Sequence, residues 1–175
     1  GATVFTNLDL TSAYYQVCLH PESQDYTAFI TPMGAYKFQR MPFGLVSAAS
    51  VFQRAMTSIL ADMTGVFYYQ DDVLIFGKNE AEHDSRLREV LSKFREYGLT
   101  VKREKCKIKC AEISYLGHTI SAHGIQPRKE LVDTILKLVS PKNKVELRSF
   151  LGMVEFYSKF VINFASRTWH MRNLL

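Results

Sequence analysis

With 175 residues that are 47% hydrophobic, 13% aromatic and 22% charged, the chain has the length and composition of one globular domain, or of a domain plus part of another. That excludes an intrinsically disordered tail, a collagen-like fibre or a coiled coil. No run approaches the roughly 18 apolar residues of a membrane span, the start has no signal-like block, and three scattered cysteines make no disulfide framework, so a soluble intracellular protein is expected.

The net charge of +5 divides unevenly: residues 1–77 carry −3 and residues 78–175 carry +8. Such a split suits metal ions on the first half and a polyanion on the second, although chance alone also produces it. In chain order, Val4-Phe5-Thr6-Asn7-Leu8-Asp9 alternates as a short strand that ends on a carboxylate. Thr27–Thr31 and Ala35–Gln39 flank Pro32-Met33-Gly34, a hairpin signal with a glycine in its loop. Helical spacing of Val51, Phe52, Ala55, Met56, Ile59, Leu60 and Met63 predicts a helix from Ser47 to Met63, stopped by Gly65.

Val66 to Phe76 is two aromatic and β-branched runs split by polar residues, which reads as a hairpin without a glycine. Asn79 with Glu82 reads as a capped helix start, and Leu87, Val90, Leu91 and Phe94 as its buried stripe, ending before Gly98. Ile113 to Ile120 reads as strand. Pro127 opens a helix near residues 128–139, Pro141 closes it, and Leu147, Phe150, Leu151, Val154, Tyr157 and Val161 predict a last amphipathic helix. Adjacent hairpins followed by helices predict an α+β fold, an antiparallel sheet covered by helices on one face.

Asp71-Asp72 stands at the tip of the second, otherwise apolar hairpin. Alone, an Asp pair there is an ordinary turn, because Asp tolerates unusual backbone angles and bonds its own backbone. If the Val4 strand lies beside that hairpin, Asp9 joins the pair. Three clustered carboxylates are costly unless cations neutralise them, and hard oxygen ligands select Mg²⁺ or Mn²⁺. Two such ions serve nucleotidyl transfer and also many nucleases, and spacing leaves both open. Cys106, Cys110, His118 and His123 raise a structural zinc site, against which stands the short seven-residue gap, filled by an apolar run, between Cys110 and His118.

Six blocks, in order, carry a resemblance. They are Phe5-Thr-Asn-Leu-Asp-Leu-Thr-Ser-Ala-Tyr14, Met41-Pro-Phe-Gly-Leu-Val-Ser-Ala-Ala-Ser-Val-Phe-Gln53, Tyr69-Gln-Asp-Asp72, Gly98 to Cys106, Tyr115-Leu-Gly-His118 and Leu147-Arg-Ser-Phe-Leu-Gly152. Together they resemble the reverse transcriptases of Ty3/gypsy-type LTR retrotransposons over essentially the whole chain. The resemblance implies a right-hand polymerase palm over residues 1–125, with a partial fingers insertion at about 17–46, and the beginning of a helical thumb over 126–175.

It further implies an RNA-directed DNA polymerase that moves a nucleotidyl group from a dNTP to a primer 3′-OH with two Mg²⁺ or Mn²⁺ ions. Asp9, Asp71 and Asp72 would be the catalytic metal site, with the Leu10 carbonyl as a further ligand. Tyr14 would be the steric gate against a ribose 2′-OH. Phe43 and Gly44 would line the incoming nucleotide, Ser47 and Gln53 would face template or nucleotide, and Lys105 would stand near the leaving pyrophosphate. Tyr115, Leu116 and Gly117 would form the primer grip. Lys137, Lys142, Lys144, Arg148 and Lys159 would be candidates for contacts to the template-primer duplex. Protease, RNase H and integrase of a retroelement polyprotein would be partners.

The family usually has Pro where Ala49 stands and an aliphatic residue where Gln70 stands, which puts Gln70 among the residues that select nucleotide. The upstream fingers strands lie outside the chain, so an incomplete polymerase core is expected. The rival reading is a degenerate or domesticated retroelement fragment that binds nucleic acid or a protein without catalysis.

Overall fold

The computed structural model describes residues 1–175. Its principal sheet has the strand order β4-β5-β1-β6, from β1 (Val4–Asp9), β4 (Val66–Tyr69), β5 (Asp72–Gly77) and β6 (Lys107–Cys110), with every neighbouring pair antiparallel. Alternation along β1 and β5 sends Leu8, Val73 and Ile75 to one face and Phe5 and Leu74 to the other. The first face is covered by α2 (Ala48–Leu60) and α3 (Glu80–Glu96).

α2 buries Ala48, Phe52, Met56 and Leu60, a ridge at four-residue spacing that lies along the sheet. α3 begins as its sequence predicts. The Glu82 amide donates to Asn79 Oδ1 at 2.9 Å, and Glu82 Oε2 accepts from the Lys78 amide at 2.7 Å. Its buried residues His83, Val90 and Phe94 include one polar group, and His83 Nε2 lies 2.8 Å from Thr6 Oγ1 across the layer. Gly77 is required there, since a Cβ would fall 2.6 Å from the His83 amide nitrogen.

Between β1 and α2 the chain leaves the sheet. A short helix α1 (Pro21–Gln24) and the hairpin of β2 (Phe29–Thr31) and β3 (Gly34–Tyr36) form a separate outgrowth. It is joined to the body through the Leu19 amide on Gln39 O and the Met41 amide on Val17 O.

Three expectations are corrected after residue 110. The run from Ile113 is not one strand but a hairpin, β7 (Glu112–Tyr115) and β8 (His118–Ser121), extended by β9 (Gly124–Pro127) into a second sheet. Leu116 and Gly117 make its two-residue turn, both with positive φ (45° and 80°), the primed-turn geometry that suits strand twist. Tyr115 and Ile113 pack with Phe5 and Leu74, so this sheet lies against the principal sheet's second face.

Pro127 closes β9 instead of opening a helix. It sits on an edge strand, where a residue without an N–H is tolerated, and α4 runs only over Lys129–Leu136. The last predicted helix stops early, as α5 (Lys144–Glu155), and a further helix, α6 (Phe164–Arg172), lies beyond its predicted stripe. Phe156, Tyr157 and Phe160 turn out of the helical path to surround the His118 ring, and Asn163 at φ 56° redirects the chain.

Candidate active site

The register of β1 on β5 sets Asp9 directly across from Asp72, and the Leu10 amide donates to the Asp71 carbonyl at 3.1 Å. The end of the first strand is thereby tied to the tip of the β4–β5 hairpin. That tip is the two-residue loop Gln70-Asp71, in which Gln70 takes φ 55°, a region where glycine is usual. The Gln70 amide is satisfied from outside the hairpin, by Gln53 Oε1 on α2 at 2.8 Å.

Asp9, Leu10, Tyr14, Phe43, Asp71 and Lys105 line one cavity of about 440 Å³, within the range of about 300–1,000 Å³ that accepts cofactor-sized ligands. Lys105 lies in a helical turn before β6, and its Nζ is 3.6 Å from Asp9 Oδ2. The structure adds Thr11, Ser12, Ala13 and Lys102 to the wall. The usable sequence signals for these were adjacency to Asp9 and, for Lys102, membership of the basic run that includes Lys105.

Asp72 does not line the cavity. Its Oδ1 accepts from Asn7 Nδ2 at 3.2 Å, another partner that the sequence did not announce. Burial, followed by the charges of Asp71 and Asp9, pushes the Asp72 carboxyl above its ordinary value, against the pull of the Asn7 hydrogen bond and Lys105. The folded state thus holds this proton more tightly than the unfolded chain does. Asp72 therefore opposes folding increasingly as pH rises from the unfolded value of 3.8 through the raised folded one. Asp72→Asn, which keeps an acceptor for Asn7, is expected to raise the melting temperature at pH 7. Solvent screening of a half-exposed group holds the gain below about 1 kcal/mol, at most about 2–4 °C for a chain of this size. Melting curves at pH 4 and pH 7 check it, with the gain confined to the higher pH.

Tyr115 approaches from the second sheet. Its hydroxyl donates to the Asp72 carbonyl at 3.4 Å, and burial, reinforced by the Asp72 charge, pushes the phenol up to about 12, so it remains a donor at neutral pH. Leu116 is exposed at the turn, and Gly117 lies close enough to Phe156 that a Cβ would come within 3.2 Å of the ring. Gly44 lies exposed beside Phe43, whereas Gln53 and Gln70 stand behind the cavity, bonded to each other.

No three His, Cys, Asp or Glu side chains converge in a metal-ligating arrangement. Asp9 and Asp71 line a common cavity. Their carboxylate oxygens, with the Leu10 carbonyl in sequence, are a hard donor set that fits a divalent cation of the Mg²⁺ type. Cys106 and Cys110 direct their thiols to the Lys102 and Ile108 carbonyls, and His118 stacks on Phe156 at 5.1 Å.

A four-stranded antiparallel sheet backed by two helices, with carboxylates at its central hairpin tip and a basic segment beside them, has the architecture of a polymerase palm. Residues 1–120 match the family described as reverse transcriptase (RNA-dependent DNA polymerase), and the chain belongs to that family. It is 35% identical, over its whole length, to the transposon Tf2-3 polyprotein of Schizosaccharomyces pombe and 34% identical to the Tf2-7 polyprotein, spanning 13% of each. Among solved structures, the foamy viral protease-reverse transcriptase in complex with double-stranded DNA superposes with a TM-score of 0.91 at 26% identity, over 98% of this chain and 30% of that one. The foamy viral enzyme in complex with an RNA/DNA hybrid gives 0.84 at 26% identity, over 98% of this chain and 24% of that one.

Proposed function

We propose that the chain is the palm (residues 1–125, with a fingers outgrowth over about 17–46) and the start of the thumb (126–175) of an RNA-directed DNA polymerase within a retroelement polyprotein. Its substrates are dNTPs and a primer paired to an RNA or DNA template. The observation that carries the reading is that Asp9 and Asp71, distant in sequence, line one nucleotide-sized cavity together with Tyr14, Phe43 and Lys105. The duplexes bound by the foamy viral relatives support the template-primer assignment.

When bound, a pair of Mg²⁺ or Mn²⁺ ions would supply the Lewis acidity that activates the 3′-OH and stabilises the leaving oxygen. Asp9 and Asp71 would hold them, with the Leu10 carbonyl, and Asp72 would keep the local field negative from behind. Lys105, paired with Asp9 in the free chain, would turn to the departing pyrophosphate and stabilise or protonate it. Phe43 and Gly44 would border the nucleotide. Tyr115, Leu116 and Gly117 would carry the primer end, since the Tyr115 hydrogen bond couples their turn to the carboxylate hairpin. Lys137 and Lys142, between α4 and α5, and Arg148 on α5 are exposed and free to meet backbone phosphate, while Lys144 and Lys159 already bond Leu175 O and His118.

Primer extension on an RNA template with dNTPs and Mg²⁺, by the chain joined to its upstream fingers strands, tests the reading. Incorporation that chelation abolishes supports it, and binding of duplex without incorporation would instead favour a domesticated, non-catalytic fragment. Tyr14→Ala should raise ribonucleotide incorporation relative to deoxyribonucleotide by on the order of tenfold or more, because the ring that fills the 2′-OH space is gone. Unchanged sugar selectivity would remove Tyr14 as the gate.

A further inference from the structure

Gln70 lies outside the cavity but is bonded to a residue that lines it. Its Oε1 accepts from the Tyr14 hydroxyl at 3.0 Å, and its Nε2 faces the Ala49 carbonyl at 3.4 Å. The orientation of the amide is fixed by chemistry, since a carbonyl can only accept and therefore takes the NH₂ end, leaving the oxygen for Tyr14. Gln53 then fixes the hairpin by accepting the Gln70 amide at 2.8 Å, so backbone and side chain of Gln70 are both tied to α2. The Tyr14 ring is bordered by Phe43 and Phe52, with centroids 5.0 and 5.7 Å away, and only its hydroxyl has a directional partner.

We propose that Gln70 is a positioning residue for sugar discrimination: by accepting the Tyr14 hydroxyl it pins the gate ring against the nucleotide cavity, and it is itself held there by Gln53 and Ala49. The inference rests on the reading of Tyr14 as the gate. An aliphatic side chain at position 70 has no acceptor, so the ring would be held by packing alone and would yield more easily to a 2′-OH. Gln70 reaches the other position where the sequence leaves the Ty3/gypsy pattern, Ala49, through its main-chain carbonyl, a group any residue there presents.

The test compares kcat/KM for dATP and ATP in primer extension. Gln70→Leu is expected to lower the dATP/ATP ratio about five- to tenfold, the scale of one lost hydrogen bond. Tyr14→Phe, which keeps the ring and removes the donor, should do the same, and the double variant should show no further loss. Gln70→Glu retains the acceptor for Tyr14 but loses the donor to Ala49, so it should restore the ratio in part, its added charge acting equally on two triphosphates.

A second measurement needs no turnover: 3-fluorotyrosine at position 14 should show a ¹⁹F resonance that moves in Gln70→Leu and moves back part of the way in Gln70→Glu. Incorporation with an unchanged ratio, losses that multiply in the double variant, or an unmoved resonance would each overturn the proposal while leaving the polymerase reading intact. Absence of any dATP incorporation by the unsubstituted chain joined to its upstream fingers strands would overturn both.

Discussion

Asp71→Asn is expected to cut primer extension by on the order of 10³-fold or more while shifting the melting temperature by no more than about 2 °C. The two halves of that expectation have separate physical grounds. Asp71 is exposed at the hairpin tip and lines the cavity, and the bond that ties the tip to β1 runs through its backbone carbonyl, which the substitution keeps. The carboxamide loses one negative charge and turns an N–H₂ donor toward the place of a cation, so the binding of divalent ions fails without a packing defect.

Asp72→Asn should lose less activity, because that carboxyl is engaged by Asn7 and does not line the cavity. Single-turnover extension at saturating Mg²⁺, paired with thermal melts, separates the cases. Extension by Asp71→Asn within about tenfold of the unsubstituted chain would show that Asp71 is not a metal ligand.

The parts of the fold legible in the sequence are those in which local signal and tertiary demand agree. β1 runs over the predicted Val4–Asp9, and α2 buries one stripe of the predicted helix. Asn79 and Glu82 cap α3 as their spacing requires, and the same Asn-x-x-Glu signal at Asn143 and Glu146, which went unused, marks the start of α5.

What was not legible is where the chain turns on a residue that does not advertise a turn. Leu116 has a positive φ that a bulky aliphatic residue rarely adopts, so a hairpin there read as continuous strand. The β4–β5 hairpin, by contrast, is legible from its flanking apolar runs even though Gln70 turns there at φ 55°, and Ser12 at φ 44° sits on the cavity wall. Of the five positive-φ residues other than glycine, Ser12 lines the cavity and Gln70 bonds one of its wall residues, in keeping with backbone strain that collects where geometry serves function and surrounding structure holds it in place. The Gln70–Tyr14 bond spans 56 residues, and no local pattern encodes a contact of that separation.

Phe52→Ala should damage the fold severely, because its ring sits in the core and also borders the cavity residue Tyr14. Phe52 is 1% exposed on α2, in the cluster that joins Leu8, Val73, Ile75, Val90 and Phe94. Removing it forfeits the transfer free energy of the ring and leaves a void the surrounding sheet and helices cannot fully close, about 3–5 kcal/mol. For a chain of this length that is a fall of roughly 10–15 °C in melting temperature.

Phe52→Leu, which refills most of the volume, should recover the larger part of it. The ring also borders Tyr14 at a centroid distance of 5.7 Å, so in the Leu variant, which remains folded, the gate loses an aromatic neighbour and sugar selectivity should relax with little loss of deoxynucleotide turnover. Chemical denaturation gives the first quantity and competition between dATP and ATP the second. A loss below about 1 kcal/mol in Phe52→Ala would mean that α2 does not pack on the sheet as described, and with it would go the anchorage of Gln53, Ala49 and the hairpin tip that carries Asp71.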